Sequence, residues 1–191
     1  MTSRRLEAFS DAVIAIVMTV MVLALRRPSG SSWTALRHEV PSLSMYVLSF
    51  AILAIYWNNH HHLLFAIERV NGNILWANMH LLFWLSLVPF ITDWTGGSRF
   101  APLPVAAYGV VLFCAGAAYY ILVRAILAEH GAESLIARAI GSDVKGRISV
   151  VAYAIGIVLA YPARWASLAV YVAVALMWLI PDRRIERALS G

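Results

Sequence analysis

The chain has 191 residues, of which 61% are hydrophobic and only 13% are charged. Soluble domains carry roughly 45–50% apolar and about 25% charged residues. The chain has too few polar side chains to cover a water-facing globule, which argues against a soluble enzyme and an ordinary nucleic-acid-binding domain. Basic residues outnumber acidic residues by 15 to 10, giving a net charge of +5. They lie mainly between apolar runs, as is typical of loops at a membrane surface.

Six apolar runs follow one another along the chain. A helix needs about 20 residues to cross a bilayer core of roughly 30 Å. The last two runs are short, but a single helix over 148–180 would measure about 50 Å, and Pro162 favours a turn between them. We therefore expect a single all-α integral membrane domain over 1–191. The predicted spans are 8–25, 43–65, 74–94, 105–127, 148–161 and 165–180.

The basic residues also predict an orientation. With six spans, ten of the fifteen lie on the side of the two termini, so the positive-inside rule places both termini in the cytoplasm. The polar loop 128–146 is then cytoplasmic, and the tail 182–191 is either a short surface helix or solvated disorder. Asp11 interrupts the first run and no A-x-A site follows Leu25, so we expect a retained helix rather than a signal peptide.

The first predicted helix carries unusual polar chemistry. At about 100° per residue, four of its side chains form one stripe, and Ser10 and Asp11 point about 120–140° away from it, into neighbouring helices. A carboxylate near a membrane boundary costs a few kcal/mol unless it is paired or hydrated, so Asp11 requires a partner. The stripe consists of Ile16, Thr19, Val20 and Leu23.

Three consecutive histidines lie near the end of the second run. Side chains of consecutive helical residues point about 100° apart, so the three cannot bind one ion, and no H-E-x-x-H motif follows. We therefore expect no metal site. We expect His60 or His61 to form hydrogen bonds instead. The candidate partners are Asp11, Ser10, Asn78 and His80.

Four sequence elements resemble those of one known family. Arg5-x-x-x-Phe9-Ser10-Asp11 resembles the R-x-x-x-F-S-D signature of the transmembrane-protein-175 family, the lysosomal potassium channels and their bacterial relatives. The stretch 57–61 is similar to that family's W-x-x-H-H, Trp76-Ala77-Asn78 to its W-x-N, and 89–92 to its P-F-x-T. The resemblance covers residues 4–93.

The resemblance implies a homotetramer in the bacterial inner membrane whose first helices line a central potassium pathway without a T-V-G-Y-G filter. The narrowest ring maps onto Ile16, and further apolar rings map onto Val20 and Leu23. Thr19 maps onto a hydroxyl layer near which potassium is held transiently. Some members have a serine before the narrowest residue, where this chain has Ala15. The signature residues are expected to hold the first helix against the second and third. They are Arg5, Phe9, Ser10, Asp11, His60, His61, Trp76 and Asn78.

These observations together predict a cation channel that favours potassium weakly over sodium. It would be no enzyme, would need no cofactor beyond the permeant ion, and would contact lipid rather than nucleic acid. The alternative is a proton-coupled transporter or proton-conducting channel that uses Asp11 and the histidines at 60–62. A transporter would favour paired broken helices and an inverted repeat, which the sequence lacks. A membrane hydrolase would need a nucleophile motif and a second carboxylate cluster, and the sequence has neither.

Overall fold

Helices account for almost all of the chain that the computed structural model describes, which comprises residues 2–65, 67, 69–131 and 144–179. Outside the helices, this part has one isolated bridge, between Thr2 and Arg69. Predicted segments at 132–143 and 180–191 lie outside the described residues. The described helices are α1 (Ser3–Leu23), α2 (Trp33–Phe65), α3 (Gly72–Ser86), α4 (Val88–Gly97), α5 (Pro102–His130), α6 (Val144–Leu159) and α7 (Arg164–Leu179).

Four helical stretches of the described chain are long and apolar enough to cross a membrane. They are α1, α2, the continuous stretch formed by α3 and α4, and α5. Helices α6 and α7 have 16 residues each, which cover about 24 Å at 1.5 Å per residue. A turn over 160–163 separates these two helices. The described part of the chain is therefore all-helical with four full-length candidate spans, and the described stretches of the two C-terminal helices are shorter than the bilayer core.

Helix α2 begins ten residues earlier than the span predicted from residue 43. It runs from Trp33 through Pro41, although proline cannot donate a hydrogen bond to the carbonyl four residues before it. That carbonyl belongs to Arg37, which is exposed, so water can satisfy it. The loss of one hydrogen bond at a wet helix end does not stop the helix.

The predicted span 74–94 consists of two helices that meet at Leu87. Pro89 has no N–H to donate to the Leu85 carbonyl, and its ring crowds that turn. The helical ladder resumes where the Ile91 amide donates to the Leu87 carbonyl at 3.1 Å. Helix α4 then continues to Gly97, three residues beyond the predicted end of the span at Trp94.

Helix α5 is the centre of the bundle, with contacts to α3, α4, α6 and α7. Tyr108 on α5 and Tyr171 on α7 are fully buried in the core, and the Tyr171 hydroxyl donates to the Val105 carbonyl at 3.3 Å. Helix α1 packs against α2, α3 and α4. The bridge from Thr2 to Arg69 places the beginning of α1 and the end of α2 at the same end of the bundle.

Candidate functional site

One face of α1 is mostly apolar and is exposed on the surface of the described chain. Ile16 is 60% exposed and Leu23 is 80% exposed, and Thr19 and Val20 on the same stripe are also exposed. The opposite face is fully used in packing. Its buried residues are Leu6, Ser10, Ile14, Val17 and Met21. Helix α1 therefore has one packing face and one face that no described residue of the chain covers.

Thr19 is the only hydroxyl on the open stripe. Its Oγ1 lies 3.0 Å from the Ala15 carbonyl and 2.9 Å from the Ile16 carbonyl, and it donates its proton to this pair. Such back-bonding is common for helical threonine. The backbone carbonyls thus hold the Thr19 hydroxyl proton, and the lone pairs of Oγ1 are directed away from the helix backbone. A ring of such oxygens can accept from water or contact a cation.

A buried polar chain joins α1, α2 and α3. The Asn78 amide nitrogen donates to Ser10 Oγ at 3.0 Å, and Asn78 Oδ1 lies 2.7 Å from His60 Nε2. All three side chains are completely buried. The Ser10 hydroxyl donates to the Leu6 carbonyl at 2.8 Å. Since polar groups need partners away from water, this chain determines how the three helices meet.

The donor directions in this network place a proton on His60 Nε2. Ser10 donates to the Leu6 carbonyl, so it must accept from the Asn78 amide, and Asn78 Oδ1 is left to accept from His60 Nε2–H. His60 Nδ1 is buried and has no hydrogen-bond partner. A proton added there would leave a buried, unpaired cation. His60 is therefore a neutral structural residue that anchors α2.

A second polar group lies on the flank of α1. The Trp57 indole donates to Asp11 Oδ1 at 3.0 Å, and His61 Nδ1 lies 3.0 Å from Glu7 Oε1. The ring of His61 stacks on that of Trp57, with centroids 5.9 Å apart. Asp11 thus has a partner on α2, as its position at the membrane boundary requires, and the partner is an indole rather than a histidine.

Three of the expected signature residues are not brought into either polar group. Arg5, Phe9 and Trp76 are exposed on the chain, Trp76 to 76%. Among the described residues, Asp11 forms no ion pair with Arg5. His80, an expected partner of His60 or His61, instead accepts a hydrogen bond from the Trp84 indole at 2.9 Å.

Sequence reasoning missed Glu7 and Trp57 as members of the site. A signal was present, because Glu7 lies four residues before Asp11 and Trp57 lies four residues before His61. Residues four apart share a helix face. Two such pairs on helices that pack together predict a four-residue cluster, provided that the register between the helices is known.

A further buried network secures α2 to α4 and α5. Ser49 Oγ lies 2.9 Å from the Tyr108 hydroxyl, and the Thr92 hydroxyl lies 2.6 Å from both Ser49 Oγ and the Val88 carbonyl. Thr92 is the threonine of the P-F-x-T element. It acts where α2, α4 and α5 meet, and it stabilises the helices α2 and α4 against which α1 packs.

The Asn78 side chain offers a direct test of the network behind α1. Asn78→Ala leaves the buried His60 Nε2–H without an acceptor, so we expect a loss of about 1–2 kcal/mol in the free energy of unfolding. Asn73→Ala is the matched control, because Asn73 is exposed on the same helix. Thermal unfolding in detergent, followed by circular dichroism, checks the difference. Equal midpoints for the two variants would contradict the role assigned to Asn78.

Comparisons with known proteins show clear relatives. The family described as "Endosomal/lysosomal potassium channel TMEM175" matches residues 5–89. A protein named a potassium channel from Chryseobacterium sp. (strain P1-3) is 50% identical over 190 residues, which cover 100% of this chain and 99% of that protein. A protein of Danio rerio named an endosomal/lysosomal proton channel TMEM175 is 27% identical over 68% of this chain and 25% of its own length.

A solved structure has the same fold. It is described as a lysosomal potassium-selective channel TMEM175 homologue from Chamaesiphon minutus, and it matches with a TM-score of 0.77. The match covers 93% of this chain and 96% of that chain at 23% sequence identity. Identity at this level shows that the two chains share a fold. The roles of individual side chains are argued from the contacts described above.

Proposed function

The chain belongs to the TMEM175 family of ion channels, and from this premise we propose that it forms a potassium-selective cation channel in which α1 lines the pore. Membership in a channel family supports a membrane cation channel and not an enzyme as the function of the chain. Four chains would place their α1 helices around a shared axis. The potassium ion is the cargo, and no cofactor is required.

The open face of α1 carries this proposal. A stripe of large apolar side chains lies opposite the packing face and has no partner within residues 2–131 and 144–179 as far as these are described. Ile16 and Leu23 are seven residues apart, which corresponds to about 10 Å along the helix axis. Four such helices create stacked apolar rings, and rings of this kind gate ion flow by excluding water.

Selectivity in such a neck would come from dehydration and from Thr19. Potassium sheds its hydration water at a lower free-energy cost than sodium, so an apolar constriction favours potassium modestly without a carbonyl filter. The Thr19 oxygens lie one turn beyond Ile16 and direct lone pairs outward. Ala15, directly before the constriction, supplies no hydroxyl. The hydroxyl nearest to Ile16 on this stripe is therefore that of Thr19.

The test is reconstitution of the purified protein into liposomes, with potassium and sodium flux recorded in parallel. We expect both ions to pass and potassium to pass faster. Cross-linking in detergent should trap species up to four chains. Flux equal to that of empty liposomes, or a ladder that ends at two chains, would overturn the proposal.

Thr19→Ala tests the hydroxyl layer. It removes four oxygens from the proposed pore but little volume, so we expect the potassium-to-sodium permeability ratio to fall by roughly twofold or more while conductance changes less. Thr19→Ser, which keeps the oxygen, should retain the ratio. The reversal potential under opposing potassium and sodium solutions measures this effect. An unaltered reversal potential in Thr19→Ala would remove the residue from the selectivity mechanism.

Proton conduction is the second candidate function. The polar cluster that includes Asp11 and His61 lies beside the proposed pore helix, and the Danio rerio relative is named a proton channel. Titratable groups next to an ion pathway are able to relay protons. A pH gradient imposed across liposomes with equal potassium on both sides would drive current in a proton channel. Saturable coupled uptake would instead identify a transporter.

The same proposal sets the location and orientation of the protein. With ten of fifteen basic residues on the side of the termini, both termini face the cytoplasm of a bacterial cell, and the channel lies in the inner membrane. The bilayer and three further copies of the chain are then its partners. With α3 and α4 counted as one span, α6 and α7 complete a subunit of six spans. Because these two helices are short, they cross a locally thinned membrane or stand nearly perpendicular to the membrane plane.

A further inference from the structure

Three potential metal ligands converge where α1 meets α2. Glu7, Asp11 and His61 each offer one ligand atom, and these atoms all lie within 4.8 Å of one another. The two carboxylates are four residues apart on α1 and therefore share a face, while the imidazole comes from α2. The cluster is distinct from the open stripe that we propose as the pore lining.

The His61 nitrogen that faces this cluster is without a hydrogen bond. Nδ1 is shielded from solvent and lies 3.0 Å from Glu7 Oε1, yet the geometry is not that of a hydrogen bond. The side chain of His61 as a whole is 39% exposed and that of Glu7 is 17% exposed. The ligand nitrogen of His61 thus lies inside the cluster, while solvent reaches the edge of the cluster.

The surrounding rings hold the ligands in place. The Trp57 indole donates to one oxygen of Asp11, which orients the carboxylate and leaves its second oxygen for another partner. His61 lies between two aromatic rings, with centroids 5.9 Å from Trp57 and 6.2 Å from Phe65. Groups that orient ligands in this way are characteristic of metal sites.

The charge of the cluster also calls for a cation. Among the described residues, no arginine or lysine pairs with Glu7 or Asp11. Two carboxylates close together near a membrane boundary are costly without a counter-charge. A divalent ion bound by both carboxylates and a neutral imidazole would give a site of zero net charge.

We infer that Glu7, Asp11 and His61 form a binding site for a divalent transition-metal ion, with Zn²⁺ as the best match. Two oxygens and one nitrogen suit Zn²⁺, which often takes three protein ligands and one water. Bonds of about 2.0–2.1 Å place tetrahedral ligands about 3.3 Å apart. The ligand atoms lie within 4.8 Å of one another, so the widest separation in the cluster needs to close by at most about 1.5 Å to reach this geometry. The bound ion joins α1 to α2.

Titration calorimetry with zinc chloride on the full-length, tag-free protein in detergent tests this site. We expect one Zn²⁺ per chain, and we expect His61→Gln to weaken binding by at least about tenfold. His62→Gln is the matched control, because His62 is the neighbouring histidine outside the cluster, and it should stay within about twofold of the parent. Glu7→Gln should weaken binding as His61→Gln does.

Thermal unfolding gives a second measurement on the same samples. A ligand that binds only the folded state raises its stability, so Zn²⁺ should raise the unfolding midpoint of the parent and of His62→Gln but not that of His61→Gln. Absence of zinc binding, or equal weakening by the two histidine variants, would overturn the site. If His61→Gln does not fold, zinc binding by Glu7→Gln and Asp11→Asn is measured instead, and both variants should bind zinc more weakly than the parent. The result is independent of the channel proposal, because binding is measured without ion flux.

Discussion

Ile16→Asn is expected to raise the cation current by roughly tenfold, which corresponds to a barrier about 1.4 kcal/mol lower. Ile16 is the first large apolar residue of the open stripe, and it is 60% exposed on the chain. An amide in each of four subunits would keep the neck wet and relieve the dewetting barrier. The potassium preference should fall at the same time, because a hydrated neck no longer discriminates by dehydration. Single-channel recording in planar bilayers measures both quantities.

Val22→Asn is the control for this experiment. Val22 is an exposed apolar residue on the same helix, but it lies about 120° around the helix from Ile16. The same amide at that position should leave current and selectivity close to those of the parent. A current from Ile16→Asn no larger than the parent's would place Ile16 outside the neck. An equal gain from both variants would indicate a general loosening of the helix bundle.

Gly96→Ala is expected to destabilise the fold more than any other single added methyl group along α4. A Cβ at Gly96 would lie 2.6 Å from Ser42 Cα and 3.2 Å from the Pro41 carbonyl oxygen. Both are backbone atoms, which cannot turn aside as a side chain can. The helices α2 and α4 must therefore separate, and overpacking of this kind costs about 1–3 kcal/mol in the free energy of unfolding.

Gly97→Ala provides the control one residue away. A Cβ at Gly97 would meet no atom within 4 Å, and alanine favours helix over glycine by up to about 1 kcal/mol. Thermal unfolding in detergent should therefore show a lower midpoint for Gly96→Ala and an equal or higher midpoint for Gly97→Ala. A midpoint for Gly96→Ala at or above the parent value would show that α2 and α4 can separate at no cost.

Local sequence signals predict the ends of helices least well in this chain. Pro41 and the pair Gly96-Gly97 are typical helix-ending signals, yet α2 continues through Pro41, and α4 includes both glycines and ends at the second of them. Pro41 lies at a wet helix end, where a lost hydrogen bond is replaced by water. Gly96 lies against the backbone of α2, so its role is close packing. Local propensity does not reveal either circumstance, because each depends on what surrounds the residue.

The sequence by itself determined the membrane class, the helical fold, the family signature and the division of α1 into two faces. These properties depend on composition and on the 3.6-residue helical period, which are local. Only the tertiary structure decided that Asn78 joins Ser10 to His60, that Trp57 binds Asp11, and that Glu7 lies beside His61. Such pairs depend on the rotation and axial register of one helix against another. Packing of the whole bundle sets that register, and no single segment encodes it.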